Sequence, residues 1–96
     1  MELTSHNQYL YQWLLAGRSI TNREAILHHG IGRLNARISE LILDYGVPIQ
    51  KISEPNTNNS GYHTRYFMDN NDIQLLKHTP LQLVHKTLNN KTTQTT

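Results

Sequence analysis

Apolar residues recur every three or four positions through the first half of the chain, alternate for a stretch, and then return to helical spacing. Tyr9, Leu10, Trp13 and Leu14 share one side of a helix expected over about 6–16. Ser5 with Gln8 forms a capping-box pattern at its start, and Gly17 stops it. A second capping box, Thr21 with Glu24, opens a short helix that Gly30 ends, with Ile20 ahead of the cap as a hydrophobic staple. Ala25 and Ile26, with His29 beside them, are expected to point inward. A third helix is expected over about 31–45. Ile31, Leu34, Ile38, Leu41, Ile42 and Tyr45 fall there within one sector of about 100°. Arg33, Ala36 and Glu40 lie opposite, and Asn35 and Arg37 flank the stripe. Gly46 terminates this helix and Pro48 prevents its continuation.

VPIQKISE alternates and carries β-branched residues, so it predicts a strand. EPNTNNSG is turn chemistry, and YHTRYFM predicts the returning strand. Asn71 is a candidate cap for a short helix, DIQLLKH. Thr79, Pro80 and Gln82 signal a last helix over about 80–89, with Leu81, Val84 and Leu88 on one face. Leu43, off the core stripe, is expected to pack under that segment. Helix, tight turn, basic helix and hairpin, in this order, predict a winged helix-turn-helix: mainly α with a small β-hairpin and one or two short C-terminal helices. The domain is expected to span 1–88. The tail 89–96, NNKTTQTT, has nothing to bury and is expected to be disordered.

The 96 residues allow one domain with a modest core, since only 36% are hydrophobic. The net charge is +2, too mild to demand a nucleic-acid partner, so the distribution of charge matters more than its total. Basic residues concentrate in 18–37 and 51–65, whereas acidic ones gather at Glu40, Asp44 and Asp69 to Asp72. Cysteine is absent, which excludes disulfides and zinc fingers. No apolar run approaches the roughly 20 residues of a membrane span, and the N-terminus lacks a secretion-signal pattern. A cytoplasmic protein is expected.

Arginine matches the acceptor pair of guanine and asparagine the edge of adenine, so Arg33, Asn35 and Arg37 are candidate major-groove readers. Thr21, Asn22 and Arg23 stand at a helix N-terminus whose amides and dipole suit a phosphate, and Arg18 precedes them. Lys51, His63 and Arg65 lie on the expected hairpin, with Asn58 and Asn59 at its tip, where backbone phosphates are within reach. Each group also has a plain structural explanation: a solvated helix face, a helix cap, a polar loop. The six histidines show no metal-ligand spacing, and no nucleophile has a base nearby in sequence. No metal, cofactor, small-molecule substrate or enzymatic activity is therefore expected. Leu81, Val84 and Leu88 leave two possibilities open, a homodimer contact or a cover over their own domain.

Five segments, WLLAGRSIT (13–21), EAI (24–26), GIGRLNARISEL (30–41), YGVPI (45–49) and RYFM (65–68), resemble a family of small winged helix-turn-helix DNA-binding domains common in phages and prophages. The densest match is the pattern GI-x-RL-x-ARI-x-EL, and the resemblance covers Gln8 to Met68, about two thirds of the chain. It implies the fold and a sequence-specific, double-stranded DNA-binding regulator or accessory factor, with Arg33, Asn35 and Arg37 on the recognition helix. Two departures stand out: an asparagine-rich wing loop where many relatives carry lysine or arginine, and a segment after Asp69 outside the matched region. The alternative is a winged-helix module that binds and inhibits a host or phage protein.

Overall fold

Thr21 begins the most clearly specified helix of the chain. Its hydroxyl accepts from the Glu24 amide at 3.1 Å, and the Glu24 carboxylate accepts from the Thr21 amide at 3.1 Å, closing the expected capping box. Gly30 ends this helix in the left-handed region at φ 66°, which L residues with a Cβ rarely adopt. The computed structural model describes residues 5–58 and 60–88, apart from the Ser5 side chain. The expected Ser5–Gln8 capping box, Asn59 and the tail 89–96 therefore lie outside the described residues.

The element order is α1 (Ser5–Leu15), β1 (Ile20–Thr21), α2 (Asn22–His29), α3 (Leu34–Tyr45), β2 (Ile49–Pro55), β3 (Tyr62–Met68) and α4 (Asn70–Leu76). A 3-10 turn, Leu81–Leu83, then leads into helical residues 84–88. The chain is thus mixed α/β, with a three-stranded antiparallel sheet in the order β1-β3-β2. The sequence pattern predicts only the two-stranded hairpin. The third strand pairs Ile20 with Tyr66 and Thr21 with Arg65. It is two residues long, too short to leave a periodic signature.

The stripe on α3 is the axis of the core. Leu34, Ile38 and Leu41 are buried, with Ile42 and Tyr45 packed beside them. Leu10, Tyr11 and Leu14 meet them from α1, Ile20 from β1, Ala25 from α2, and Tyr66 and Met68 from β3. Each such Leu or Ile stabilises the fold by about 1.5–3 kcal/mol relative to exposure. Ile31 is buried just ahead of α3, but Arg33 is the N-cap and the helix begins at Leu34, three residues later than the expected start near 31. At the far end the Gly46 amide donates to Leu41 and Ile42 carbonyls, and Val47 donates to Leu41 at 2.9 Å, a left-handed cap that sends the chain into β2.

Several inward assignments change. On α1 the third core residue is Tyr11, and Tyr9 sits at the surface. The Tyr11 hydroxyl donates to the Thr79 carbonyl at 2.6 Å, and burial pushes its pKa up to about 12. On α2, Ile26 is exposed and only Ala25 is buried. Asp69, not Asn71, occupies the N-cap of α4. Leu81 and Val84 are 1% and 0% exposed, and Leu88 packs against the same core. Leu81 and Val84 are enclosed in their own protein and offer no apolar area to a second chain, whereas Leu88 is only partly buried. Leu43, expected under this segment, is instead 81% exposed.

Candidate nucleic-acid interface

The register of the hairpin decides which candidate residues can act together. Lys51 pairs with Tyr66, Ile52 with Arg65 and Glu54 with His63. Side chains alternate across a pleated sheet, so Ile49, Lys51 and Ser53 share one face with Met68, Tyr66 and Thr64. Glu54, Arg65 and His63 share the other. Lys51 therefore lies on the face that carries the core residues Tyr66 and Met68, and the expected trio of Lys51, His63 and Arg65 is split between two sides.

Arg65 is fully engaged on its side. Its Nε donates to both Glu54 oxygens at 2.9 Å, one terminal nitrogen to Ser19 Oγ at 3.0 Å and Glu24 Oε1 at 3.1 Å, and the other to Glu24 Oε2 at 3.3 Å. The guanidinium thus clamps β2 and β3 to α2. These bonds, those to Glu24 first, raise the Arg65 pKa. The Arg65 hydrogen bonds hold the Glu54 carboxyl below the ordinary carboxylate range. For Glu24, partial burial opposes ionisation, but the Arg65 and Thr21 hydrogen bonds outweigh it and its pKa is also lowered. His63 extends the network, with Nε2 against Glu54 Oε1 at 3.0 Å and Nδ1 against Asn56 Oδ1 at 2.7 Å. An open cleft of about 550 Å³ lies above it, between α2 and the hairpin tip, with Arg23, His28 and Thr57 among its walls. Asn58 caps the tip by accepting from the Ser60 amide and hydroxyl.

Arg37 is engaged as well. It donates to Glu40 at 2.8 Å, and Glu40 accepts in turn from Asn7 on α1 at 3.1 Å. That side of α3 faces α1, so Arg37 is not presented with Arg33 and Asn35. Three of the carboxylates near α2, α3 and the hairpin, those of Glu24, Glu40 and Glu54, are consequently taken up by Arg37 and Arg65. Arg18, Arg23, Arg33 and Lys51 form no ion pair among the described residues and are exposed. Arg18 stacks over the Trp13 ring at 4.8 Å, and the Trp13 indole donates to the Ser19 carbonyl, which fixes the loop that carries it.

The two helix starts differ. At α2 the cap is filled by Thr21, and the Glu24 carboxylate sits within the first turn, which works against a second anion there. At α3 no side chain caps the first turn, and Arg33 stands beside it. The open amides are therefore at α3, whereas the sequence pointed to Thr21, Asn22 and Arg23. Asn35, in that first turn, accepts from the Tyr66 hydroxyl at 2.7 Å, and the Lys51 ammonium lies 6.0 Å from the centre of the Tyr66 ring. On the α3 surface Asn35, Ser39 and Leu43 follow each other at one-turn spacing, and all three are exposed. Tyr66 is the residue the sequence reading missed. In the sequence it is one aromatic of a strand, and nothing local ties it to a residue 31 positions earlier.

Among the described residues no three of His, Asp and Glu gather where they could hold a metal ion, and no helix is long and apolar enough to cross a membrane. The geometry defines a small mixed α/β protein with a cationic edge where a helix start meets a hairpin. No protein-family model, curated protein or solved structure matches the chain.

Proposed function

We propose that this protein is a winged helix-turn-helix that binds double-stranded DNA, with the first turns of α3 in the major groove and the Lys51 face of the hairpin against the flanking backbone. The observation that carries this reading is the division of charge. The carboxylates of Glu24, Glu40 and Glu54 are neutralised within the molecule. Arg33 and Lys51 remain without acidic partners near the uncapped start of α3, and Arg23 is likewise unpaired at the start of α2. A helix-turn-helix reads base edges with the N-terminal residues of its second helix, which here are Arg33 and Asn35. The pattern within residues 30–41 that resembles phage regulators supports the same reading, and a phage or prophage regulator or accessory factor is its biological form.

The test is retention of a random-sequence duplex at low salt, followed by selection of preferred duplexes from a random pool. Binding that weakens steeply with salt supports the proposal, and no retention at low salt refutes it. A second reading, docking onto a host or phage protein, is favoured by one observation. Leu43, at 81% exposure, continues the Asn35–Ser39 line and would suit an apolar partner. Under that reading Leu43→Ser abolishes the interaction and duplex retention is absent.

A further inference from the structure

We propose that Tyr66 and Asn35 act as one base-reading unit selective for adenine, with Tyr66 as the positioning residue. The inference rests on the DNA-binding reading above. An exposed asparagine on a helix usually samples several rotamers, and freezing it on binding opposes affinity. Here the Tyr66 hydroxyl holds the Asn35 Oδ1 at 2.7 Å. Tyr66 is itself immobilised: it is 7% exposed and sits on the central strand, paired with Ile20 on one side and Lys51 on the other. The hydrogen bond uses one lone pair of Oδ1. The second lone pair and the amide NH2 have no partner among the described residues, so one acceptor and one donor remain side by side.

That pair complements adenine, which offers the N6 amino donor and the N7 acceptor in the major groove. Guanine offers two acceptors there, and the Asn35 Oδ1 would face one of them without a hydrogen. Lys51, stacked near the same tyrosine ring, places its ammonium next to this unit, where a flanking phosphate would lie. Support of this kind from a rigid strand is what a precise contact requires.

The experiment compares the wild-type protein with Asn35→Ala, Tyr66→Phe and Arg23→Ala on duplexes selected from a random pool. The wild type is expected to prefer adenine at one position by about 5- to 150-fold. Replacing that adenine by 7-deaza-adenine, which lacks the N7 acceptor, should weaken wild-type binding several-fold and leave Asn35→Ala unaffected. Tyr66→Phe keeps the buried ring and loses only the hydroxyl. It should retain wild-type affinity for random duplex while losing most of the adenine preference. Arg23→Ala should weaken all sequences equally and keep the preference. A Tyr66→Phe protein with full adenine preference and a lowered melting temperature overturns the inference, because the hydroxyl then serves only the fold. A wild type that selects a sequence with no position sensitive to Asn35→Ala also overturns it, and leaves DNA binding standing. Absence of duplex binding at low salt removes both.

Discussion

The steepness with which DNA affinity falls as salt rises reports how many cations this protein lends to phosphates. Each phosphate neutralised on B-form DNA contributes about 0.9 to the slope of log affinity against log salt. Sequence reading alone offers six arginines and lysines for the interface: Arg18, Arg23, Arg33, Arg37, Lys51 and Arg65. If all six touched phosphates, the slope would be about −5.4. The structure removes Arg37 and Arg65, which are held by Glu40, Glu24 and Glu54. Arg23, Arg33 and Lys51 remain, so the slope should be about −2.7, or about −3.6 where Arg18 also reaches a phosphate. A fourfold rise in salt should then weaken binding about 40- to 150-fold, against about 1,800-fold for six contacts. Fluorescence anisotropy of a labelled duplex, titrated at several salt concentrations, measures this directly. Arg23→Ala should flatten the slope by about one. The charge-conserving double variant Arg37→Gln with Glu40→Gln should leave it unchanged. A wild-type slope near −5, or a flattened slope in the double variant, would show that the internal ion pairs open on DNA and refute the reasoning.

Three further outcomes follow from the same geometry. Arg33→Ala should cost about 1–3 kcal/mol on the selected duplex and relax its sequence preference, which competition binding against scrambled duplex would detect; equal loss on every sequence would make Arg33 a phosphate contact only. The lowered carboxyl pKa values of Glu24 and Glu54 mean that the Arg65 network stabilises the native state above the ordinary carboxylate value, about 4, and that this stabilisation is lost as pH falls through the lowered folded values. Arg65→Met should therefore melt below the wild type at pH 7, with the gap closing in acid, and a gap unchanged at pH 2 would contradict the network's role. Leu81→Ala should destabilise by about 2–5 kcal/mol through the cavity it leaves, with a melting midpoint independent of protein concentration, since Leu81 lies in its own core; a concentration-dependent midpoint would restore the dimer contact.

Features whose physics is local can be read directly from neighbouring residues. The Thr21–Glu24 capping box and the left-handed glycines 30 and 46 need only a few consecutive residues, and they fall where the pattern put them. The α3 stripe and the two long strands follow from periodicity, because burial of one face imposes 3.6- or two-residue spacing. The remaining features depend on partners far apart in the chain. Arg65 and Glu24 are 41 residues apart, Tyr66 and Asn35 are 31 apart, and Asn7 reaches Glu40 across 33. Whether a cation is free or neutralised, and on which face of a hairpin it stands, is set by strand register and helix packing. Neither composition nor spacing carries that information, so Arg37, His63 and Arg65 looked equivalent to Arg23, Arg33 and Lys51 until the fold brought the carboxylates to them.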